Sequence, residues 1–414
     1  MPKVLRIINR FNLGGPTYNA AYLTKYMAPE FETLLVGGEK DETEETSLHI
    51  VTSLGIQPLV LSEMKRSINF FSDRNAYHKL KELIQEFKPD IVHTHASKAG
   101  FLGRLAAHHC KVPVIVHTFH GHIFHSYFNP ITTTIYKKVE RYVATKSTGI
   151  IAISEKQKYE LSEINKICPA EKIKIIPLGF DLDKFQNGME EKRKSFRSRY
   201  NIDEDEIAIG IIGRLVPIKN HSLFLEALKI VREKINTPPD PLSKRGKLGK
   251  IKIRAFIVGD GEERNNIEAK AKELGLDYNV AQINNLCYDK ATVTFTSWIK
   301  DVDWVTAGVD IIALTSLNEG TPVSLIEAQA ANKPIVSTAV GGIENVVIPN
   351  ETAFLSDKND VQKFAENLLK LIEDENLRIK MSQQGRAFVN GKFHYSRLVN
   401  DMKEYYNDLL KLEI

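Results

Sequence analysis

The sequence has few cysteines, no long apolar run and no leader-like start. Its three cysteines lie far apart and form no CxxC pair, which is typical of a reducing compartment where thiols serve as small core residues. No apolar run approaches the ~20 residues that a membrane-spanning helix needs. The apolar start is soon interrupted by Arg6 and Asn9, unlike a signal peptide. We therefore expect a cytoplasmic protein, for which peripheral contact with the inner face of the membrane stays open.

An excess of charge of one sign is also lacking. The formal net charge is +4 over 414 residues, whereas nucleic-acid-binding domains carry a strongly basic face or stripe. No nucleic-acid partner is therefore expected. The length exceeds what one hydrophobic core normally organises, so two domains are expected.

What the sequence does contain is an alternation of short apolar, β-rich runs with helical stretches. In the first part of the chain, runs that favour strands cover residues 3–8, 31–38, 88–95, 112–120 and 149–154. Strands that alternate with helices predict a parallel sheet with helices on both faces. The expected fold class is α/β, with a doubly wound, Rossmann-like domain over residues 1–180.

The same alternation restarts after a break at Pro177 and Gly179. Further strands are predicted at residues 206–215, 253–261, 293–299, 309–316 and 333–342. A second doubly wound domain is therefore expected over residues 181–390. In residues 391–414, apolar and aromatic side chains recur at three- and four-residue spacing, which predicts an amphipathic helix. Ligands of such sheets bind outside the carboxyl ends of the strands, so two facing sets of loops would form a deep cleft.

Gly14 and Gly15 stand between the first predicted strand and the first predicted helix. Glycine at such a junction lets the backbone approach a ligand closely, and the N-terminus of the helix offers free N–H groups to an anion. A plain tight turn explains the pair equally well. The segment is neither a GxGxxG fingerprint nor a P-loop.

Arg214 and Lys219 follow the first strand of the second domain, in the segment GRLVPIKN. Both would project from the carboxyl end of the sheet, where a guanidinium fork and a mobile ammonium group suit a diphosphate. The alternative is that both are solvated loop residues. Their place at the ligand end of the sheet favours binding.

Glu319 and Glu327 lie in the segment TSLNEGTPVSLIEAQA, and Glu319 belongs to the loop that follows a predicted strand. Pro322 takes a position that proline favours in a first helical turn, and the backbone N–H groups of residues 323–325 would form an anion site. A carboxylate accepts hydrogen bonds from two vicinal sugar hydroxyls, so the two glutamates could hold two polyols with phosphates between them. Otherwise Glu319 is a solvated loop residue, and Glu327 merely interacts with the helix dipole.

These segments resemble the signature segments of retaining GT-B glycosyltransferases of family 4. The likeness rests on NEGTPVSLIEAQAANKPIVSTAVGGIENVV, FIVGDGEERNNIEAKAKELGL, GRLVPIK and GGPTYNAAYL, which occur in family order. Asn220 and Asn332 replace glycines that are common at these positions, a mild change because asparagine tolerates left-handed backbone. The resemblance implies two Rossmann-like domains that face each other across a cleft. The first lies on the acceptor side, the second binds the nucleotide sugar, and the helix of residues 391–414 packs back on the first.

The resemblance also implies the residues that act on the reacting sugar. Glu319 would bind hydroxyls of the transferred sugar, and Arg214 and Lys219 would hold the diphosphate that leaves. His120, in the segment HTFHGH, matches the cleft histidine near the transferred sugar.

Further residues would bind the rest of the donor. Glu327 would bind the ribose hydroxyls, Trp298 would line the nucleobase pocket, and the backbone at Gly14 and Gly15 would contact the diphosphate. Backbone contacts with sugar and phosphate are implied for Gly320, Thr321, Pro322, Val323 and Ser324.

No metal or other cofactor is expected. Four histidines crowd between His117 and His125, but no carboxylate or cysteine joins them at ligand spacing, and HExxH is absent. The pair Asp181/Asp183 falls in the connector between the two predicted domains, residues 175–185, and the pair Asp301/Asp303 precedes a predicted strand. Neither pair is placed to reach the phosphates. The two cations named above would neutralise the diphosphate instead.

The implied activity is transfer of a sugar, with retention, from a nucleoside-diphosphate sugar to a glycan or lipid-linked acceptor in cell-surface polysaccharide synthesis. UDP is the favoured carrier and GDP the second, and the UDP-sugar is a substrate, not a cofactor. Two other functions stay open: a nucleotide-sugar 2-epimerase of the same fold, and a non-catalytic subunit of a glycan assembly complex.

Overall fold

The computed structural model describes residues 1–11, 15–39, 46–65, 67–120, 129–237, 251–280 and 291–412. The chain divides into two compact units. One comprises Met1–Phe180 together with Lys392–Ile414, and the other comprises Asp181–Gly391. We refer to them as the first and second unit.

The first unit alternates strands and helices along its length. Its strands are β1 (Lys3–Arg10), β2 (Glu32–Gly38), β3 (Leu59–Leu61), β4 (Ile91–His95), β5 (Val114–Phe119), β6 (Gly149–Ala152) and β7 (Ile173–Ile175). Its helices up to the connector are α1 (Gly15–Tyr26), α2 (Leu48–Ser53), α3 (Phe70–Phe87), α4 (Ser97–His109), α5 (Pro130–Thr145) and α6 (Glu155–Tyr159). The strands form one sheet in the order β3-β2-β1-β4-β5-β6-β7, and every pairing is parallel.

The second unit repeats this plan. Its strands are β8 (Glu206–Ile212), β9 (Lys252–Val258), β10 (Tyr278–Val280), β11 (Val293–Phe295), β12 (Ile311–Leu314), β13 (Ile335–Thr338) and β14 (Ala353–Ser356). Its helices are α7 (Met189–Arg199), α8 (His221–Asn236), α9 (Arg264–Glu273), α10 (Val302–Gly308), α11 (Val323–Ala330), α12 (Val361–Glu373) and α13 (Glu375–Phe393), and the helix after them is α14 (Tyr395–Leu412). The sheet order is β10-β11-β9-β8-β12-β13-β14, again all parallel.

Helix α14 belongs to the first unit. Its apolar stripe, which includes Leu398, Met402 and Leu409, is buried against the face of the first sheet that also packs on α1. Tyr395, at its start, stacks on Tyr26 of α1 at a ring distance of 4.6 Å. The amphipathic spacing of the terminal segment therefore serves the core of the first unit.

The expected fold class is confirmed, because two doubly wound parallel sheets of seven strands are present. Four strands, β3, β7, β10 and β14, are not predicted by the sequence pattern. Four predicted strands of the second unit also extended too far, because residues 213–215, 259–261, 296–299 and 339–342 lie in the loops after β8, β9, β11 and β13. Parallel strands of a doubly wound sheet point their loops to one edge, and these four loops therefore belong to the carboxyl edge of the second sheet.

No helix of the described residues is long and apolar enough to cross a membrane.

Candidate active site

Lys219 and Glu319 meet at the carboxyl edge of the second sheet. Lys219 lies in the turn after β8, and Glu319 lies in the loop after the neighbouring strand β12. The distance from Lys219 Nζ to Glu319 Oε1 is 2.5 Å, and the two side chains are 24% and 11% exposed. The Ser316 hydroxyl donates to the same carboxylate oxygen over 2.5 Å. A partly buried ion pair therefore stands where an α/β sheet binds its ligand.

Hydrogen bonds to backbone carbonyl groups hold these two loops and the end of β13 against each other. The Leu317 N–H donates to the Ile218 carbonyl over 2.8 Å. The Thr315 hydroxyl donates to the Lys219 carbonyl over 2.9 Å, and the Thr338 hydroxyl donates to the Ser316 carbonyl over 2.7 Å. Since these bonds are short and partly buried, they fix the positions from which Lys219 and Glu319 project.

Gly341 and Gly342, after β13, complete this arrangement and are not among the site residues predicted from the sequence. A Cβ at Gly341 would lie 2.0 Å from the Glu319 carbonyl oxygen, and a Cβ at Gly342 would lie 1.7 Å from the Gly320 carbonyl oxygen. The Gly342 N–H donates to the Glu319 carbonyl over 2.9 Å. By contrast, a Cβ at Gly320 would meet nothing within 4 Å. The AVGG segment was the available signal, because paired glycines after a strand indicate close backbone approach.

Arg214 follows Gly213 directly after β8, and its side chain is exposed. The backbone around it is fixed, since the Leu215 N–H donates to the Asp260 carbonyl over 2.9 Å. A Cβ at Gly259 would lie 2.0 Å from the Gly213 carbonyl oxygen. Arg214 is thus an exposed guanidinium on a rigid loop, the same loop that leads to Lys219.

The asparagines that replace common glycines adopt left-handed backbone. Asn220 has φ 46° and Asn332 has φ 59°. The tolerance expected for asparagine at these positions is therefore realised in the fold.

The N-terminus of α11 follows the Glu319 loop. Pro322 is the N-cap residue and the helix begins at Val323, one position later than a proline in the first turn would imply. The Leu325 N–H donates to the Pro322 carbonyl over 3.1 Å, which corrects the expectation that it is available to an anion. The backbone donors left at this end come from Val323 and Ser324.

Glu327 lies further along α11 and is partly buried. Burial raises the pKa of its carboxyl group to about 7, while the nearby Lys184 opposes this rise and Asp303 adds to it. The structure therefore surrounds Glu327 with charges other than Lys219 and Arg214. Four charged residues were predicted to bind the donor. Of these, Lys219 and Glu319 are in contact, Arg214 shares their edge of the sheet, and the role of Glu327 stays a prediction.

Trp298 lies in the loop after β11 and is 56% exposed. It borders a pocket of about 510 Å³, whose other lining residues are Lys192, Arg199, Tyr200, Ile299, Asp301, Asp303 and Trp304. The Asp303 carboxylate is 2.9 Å from Lys192 Nζ. An aromatic wall with charged neighbours suits a flat heterocycle, and the assignment of Trp298 to the base stays a prediction.

In the first unit, His120 follows β5 and pairs with a histidine of the neighbouring strand. Its Nε2 is 2.8 Å from Nδ1 of His95, the last residue of β4, and the two rings stack with centroids 5.1 Å apart. Burial lowers the pKa of His120 to about 4 and holds the pKa of His95 well below its usual range. Both imidazoles are therefore neutral near pH 7, and one nitrogen of the pair donates to the other.

The other histidines of these strands belong to the interior. His93 Nδ1 lies 2.5 Å from the Tyr406 hydroxyl, and its Nε2 lies 2.7 Å from the Thr118 hydroxyl. His117 Nδ1 is 2.8 Å from the Thr94 hydroxyl. Among the described residues, the second nitrogens of His95, His117 and His120 have no hydrogen-bond partner.

Some residues predicted to belong to the site lie outside the described residues, and one of the others has open space around it. Gly14, His122 and His125 are outside them. Gly15 is the first residue of α1, and a Cβ there would meet nothing within 4 Å. Within the described ranges, no group of three or more His, Cys, Asp or Glu side chains is arranged to hold a metal ion.

Comparison with known proteins identifies the family of this chain. Residues 14–184 match the family model described as Glycosyltransferase Family 4, and residues 192–388 match the one described as Glycosyl transferases group 1. A relative from Escherichia coli, UDP-Gal:alpha-D-GlcNAc-diphosphoundecaprenol alpha-1,3-galactosyltransferase, is 31% identical over 83% of this chain and 82% of its own. The chain belongs to glycosyltransferase family 4. In this glycosyltransferase, the second matched segment contains every strand of the second sheet, and the first contains every strand of the first sheet except β1.

Other relatives and solved structures agree with this placement of the glycosyltransferase. The capsular polysaccharide biosynthesis glycosyltransferase CapM of Staphylococcus aureus is 28% identical over 84% of each chain. Among solved structures, Anabaena HepE in complex with UDP has a TM-score of 0.76 and 18% identity, covering 98% of this chain and 100% of that one. This structural likeness confirms the GT-B fold.

The electrostatics of the two units of this glycosyltransferase differ in kind. In the second unit, the charged side chains Arg214, Lys219 and Glu319 stand at the carboxyl edge of the sheet. In the first unit, the corresponding edge carries neutral imidazoles. The second edge can therefore neutralise an anion, and the imidazoles of the first edge can donate or accept hydrogen bonds without adding charge of their own.

Proposed function

We propose that this glycosyltransferase moves a sugar from a UDP-sugar, with retention, to a glycan carried on a polyprenyl diphosphate. The proposal is supported by the Escherichia coli relative, whose name specifies UDP-galactose and a diphosphoundecaprenol acceptor. The fold neighbour HepE was solved with UDP bound. The product would serve polysaccharide synthesis, the process named for CapM.

The observation that carries the proposal is the contact between Lys219 and Glu319. In the ligand-free protein, the carboxylate balances the ammonium group. A donor diphosphate placed between Lys219, the exposed Arg214 and the α11 N-terminus brings its own negative charge and shares Lys219 with Glu319. Glu319, still held by Ser316, is then available to accept hydrogen bonds from hydroxyls of the transferred sugar.

The reaction breaks the bond between the anomeric carbon and the diphosphate. Negative charge grows on the leaving diphosphate, so cations aimed at it lower the barrier. The acceptor hydroxyl attacks from the face that the diphosphate leaves, and its proton passes to a phosphate oxygen of the leaving group. Glu319 orients the sugar and takes no proton. His120 remains neutral and hydrogen-bonds the sugar, since a charged imidazole would cost desolvation there.

The donor can be identified from ligand-induced stabilisation. UDP-, GDP- and ADP-sugars are added separately to the protein, and the melting temperature is measured with and without EDTA. A donor that binds only the folded protein raises that temperature. We expect UDP-sugars to give the largest rise and EDTA to leave it unchanged. Equal behaviour of all three carriers would contradict the UDP assignment, and loss of the rise in EDTA would contradict metal independence.

The transfer is tested with the best donor and a polyprenyl-diphosphate-linked N-acetylhexosamine. Proton NMR of the product gives the anomeric configuration. We expect an extended lipid-linked glycan with the configuration of the donor. Isomerisation of the donor without any acceptor would instead indicate an epimerase.

A further inference from the structure

Two segments of the first unit expose large apolar side chains to solvent. One is the loop that leads into α3, and the other is the outer face of α5. Each of the following side chains is at least 55% exposed: Ile68, Phe70, Phe71, Ile131, Ile135 and Tyr142. Isolated apolar residues are normal on a surface, whereas clusters of this kind mark interaction sites.

The apolar residues of α5 form a stripe. Ile131, Ile135 and Tyr142 are spaced by four and seven positions, which places them on one face of a helix. This face is exposed, whereas an amphipathic helix of a globular protein normally turns its apolar face to the core. The only carboxylate of α5, Glu140, is buried and lies 2.6 Å from Arg104 of α4.

The exposed charge along α5 is therefore basic. Lys138 is exposed, and Lys146 Nζ lies over the Tyr142 ring at 5.6 Å. An apolar stripe flanked by lysines is the pattern of a helix that lies in the headgroup region of an anionic membrane.

The segment around the start of α3 also exposes apolar side chains. Phe70 and Phe71, at the start of α3, are 73% and 74% exposed and pack edge to face. Lys98 of α4 donates to the Ser67 carbonyl over 2.6 Å and forms an ion pair with Asp73. These contacts neutralise Asp73 and hold the aromatic tip against the N-terminus of α4.

The topology places the aromatic tip of α3 and the first turn of α5 at the edge of the sheet that carries the site, and the stripe of α5 runs from there toward Tyr142 in the last turn of the helix. Helix α4 begins directly after β4, so its N-terminus lies at the carboxyl edge. Helices α3 and α5 each end a few residues before a strand of the same parallel sheet, β4 and β6, so their first turns also point to that edge. The carboxyl edge is where His95 and His120 lie.

We infer that the first unit docks on an anionic phospholipid bilayer through the aromatic tip of α3 and the apolar stripe of α5. The apolar side chains enter the interfacial layer, and the flanking lysines attract the lipid phosphates. This inference rests on the proposed function, because a polyprenyl-linked acceptor resides in a membrane. Docking at this edge brings the acceptor diphosphate to the carboxyl edge of the first sheet.

The test is flotation of the full chain with vesicles of phosphatidylcholine alone and of phosphatidylcholine mixed with phosphatidylglycerol. The variants are F70S/F71S and I131S/I135S. The matched control is I379S, which removes a 46% exposed isoleucine from α13 in the second unit. Folding of each variant is checked by its melting temperature.

We expect the unaltered protein and I379S to float with the mixed vesicles and to float weakly with phosphatidylcholine alone. Each double variant should partition at least about tenfold less, because burying one large apolar side chain contributes on the order of a factor of ten. Added salt should weaken binding to the mixed vesicles.

Three results would overturn the inference: no flotation of the unaltered protein, equal flotation of the folded double variants, or equal binding to both kinds of vesicle. A self-association that the double variants abolish, without vesicle binding, would assign the surface to a protein partner instead. Donor and acceptor are absent from the assay. Vesicle binding without sugar transfer therefore counts only against the proposed function, and donor binding without vesicle binding counts only against docking.

Discussion

The two units share one sheet topology and use its carboxyl edge differently. In the second unit, Lys219 and Glu319 project from loops that hydrogen bonds and glycine contacts hold together. In the first unit, the strand ends carry His95 and His120, which burial keeps neutral. The difference indicates that a doubly wound sheet sets where a ligand binds, while the loop residues decide whether that place neutralises charge or only offers hydrogen bonds.

The largest expected effect concerns the charged edge. The substitution Glu319→Gln should lower the rate at saturating donor by about a hundredfold or more, in line with the loss of one transition-state contact. UDP should bind as tightly or more tightly, because no carboxylate then competes for Lys219. Initial rates and titration calorimetry with UDP measure the two effects. Glu351→Gln, at an exposed carboxylate of the same unit, is the control. A loss of UDP affinity that parallels the loss of rate would refute this separation of roles.

The second largest expected effect concerns the rigidity of the loops at the carboxyl edge of the second sheet. Gly342→Ala would place a methyl group 1.7 Å from the Gly320 carbonyl oxygen, and backbone must move to admit it. We expect a loss of about 3 kcal/mol in the free energy of unfolding, the upper range for overpacking. Gly320→Ala is the matched control, since its methyl group meets nothing within 4 Å. Denaturant titration measures the stability of both variants. Equal unfolding midpoints would show that the loops can move to admit the methyl group, and would contradict a rigid edge.

The third prediction uses the raised pKa of Glu327, about 7 in the fold against an ordinary 4.5. Between these values the folded protein holds a proton that the unfolded chain has released, so stability falls as the pH rises from about 4.5 to 7. Glu327→Gln removes this loss, which amounts to at most about 2 to 3 kcal/mol between pH 5 and pH 8 for a partly exposed group. Unfolding at both pH values measures it. If the free energies of unfolding of the unaltered protein and the variant depend on pH in the same way, the raised pKa of Glu327 is contradicted.

The smallest expected effect has the opposite sign and lies in the first unit. The pKa of His120 is lowered to about 4, so the unfolded chain binds a proton first as the pH falls below its ordinary value near 6.5. Stability is therefore lost on the acid side. His120→Gln should reduce the loss between pH 7 and pH 5 by no more than about 2 kcal/mol. Hydrogen exchange of β4 and β5 amides locates the change. An imidazole signal of His120 that titrates near pH 6.5 in NMR would count against a buried, neutral ring.

The central strands of both sheets could be predicted from the sequence, and the edge strands could not. The four missed strands, β3, β7, β10 and β14, are the outermost strands of the two sheets and have only three or four residues each. A parallel strand buried on both faces reads as a continuous apolar run, whereas a short edge strand is half exposed and lacks that signal. Leu59 and Val60 of β3, for example, are 39% and 36% exposed.

Some site residues could likewise be predicted from the sequence, whereas others depend on contacts that the sequence does not reveal. Lys219 and Glu319 could be named because each follows a strand whose pattern is clear. Their mutual contact depends on β8 and β12 being neighbours, which is a property of the sheet order. Gly341 and Gly342 were passed over because their partner, the backbone of the Glu319 loop, is distant in sequence. The neighbours of Glu327, Lys184 and Asp303, come from the connector and α10, and no local pattern reveals them.

The last helix has a consequence for how the chain is made. Arg6 donates to the Tyr406 hydroxyl over 3.2 Å, across 400 residues of sequence, and His93 contacts the same hydroxyl. Without that tyrosine, two polar side chains in the interior of the first unit would each lose one of their hydrogen-bond partners. During translation, the first unit is therefore completed only after the second unit and α14 have been synthesised.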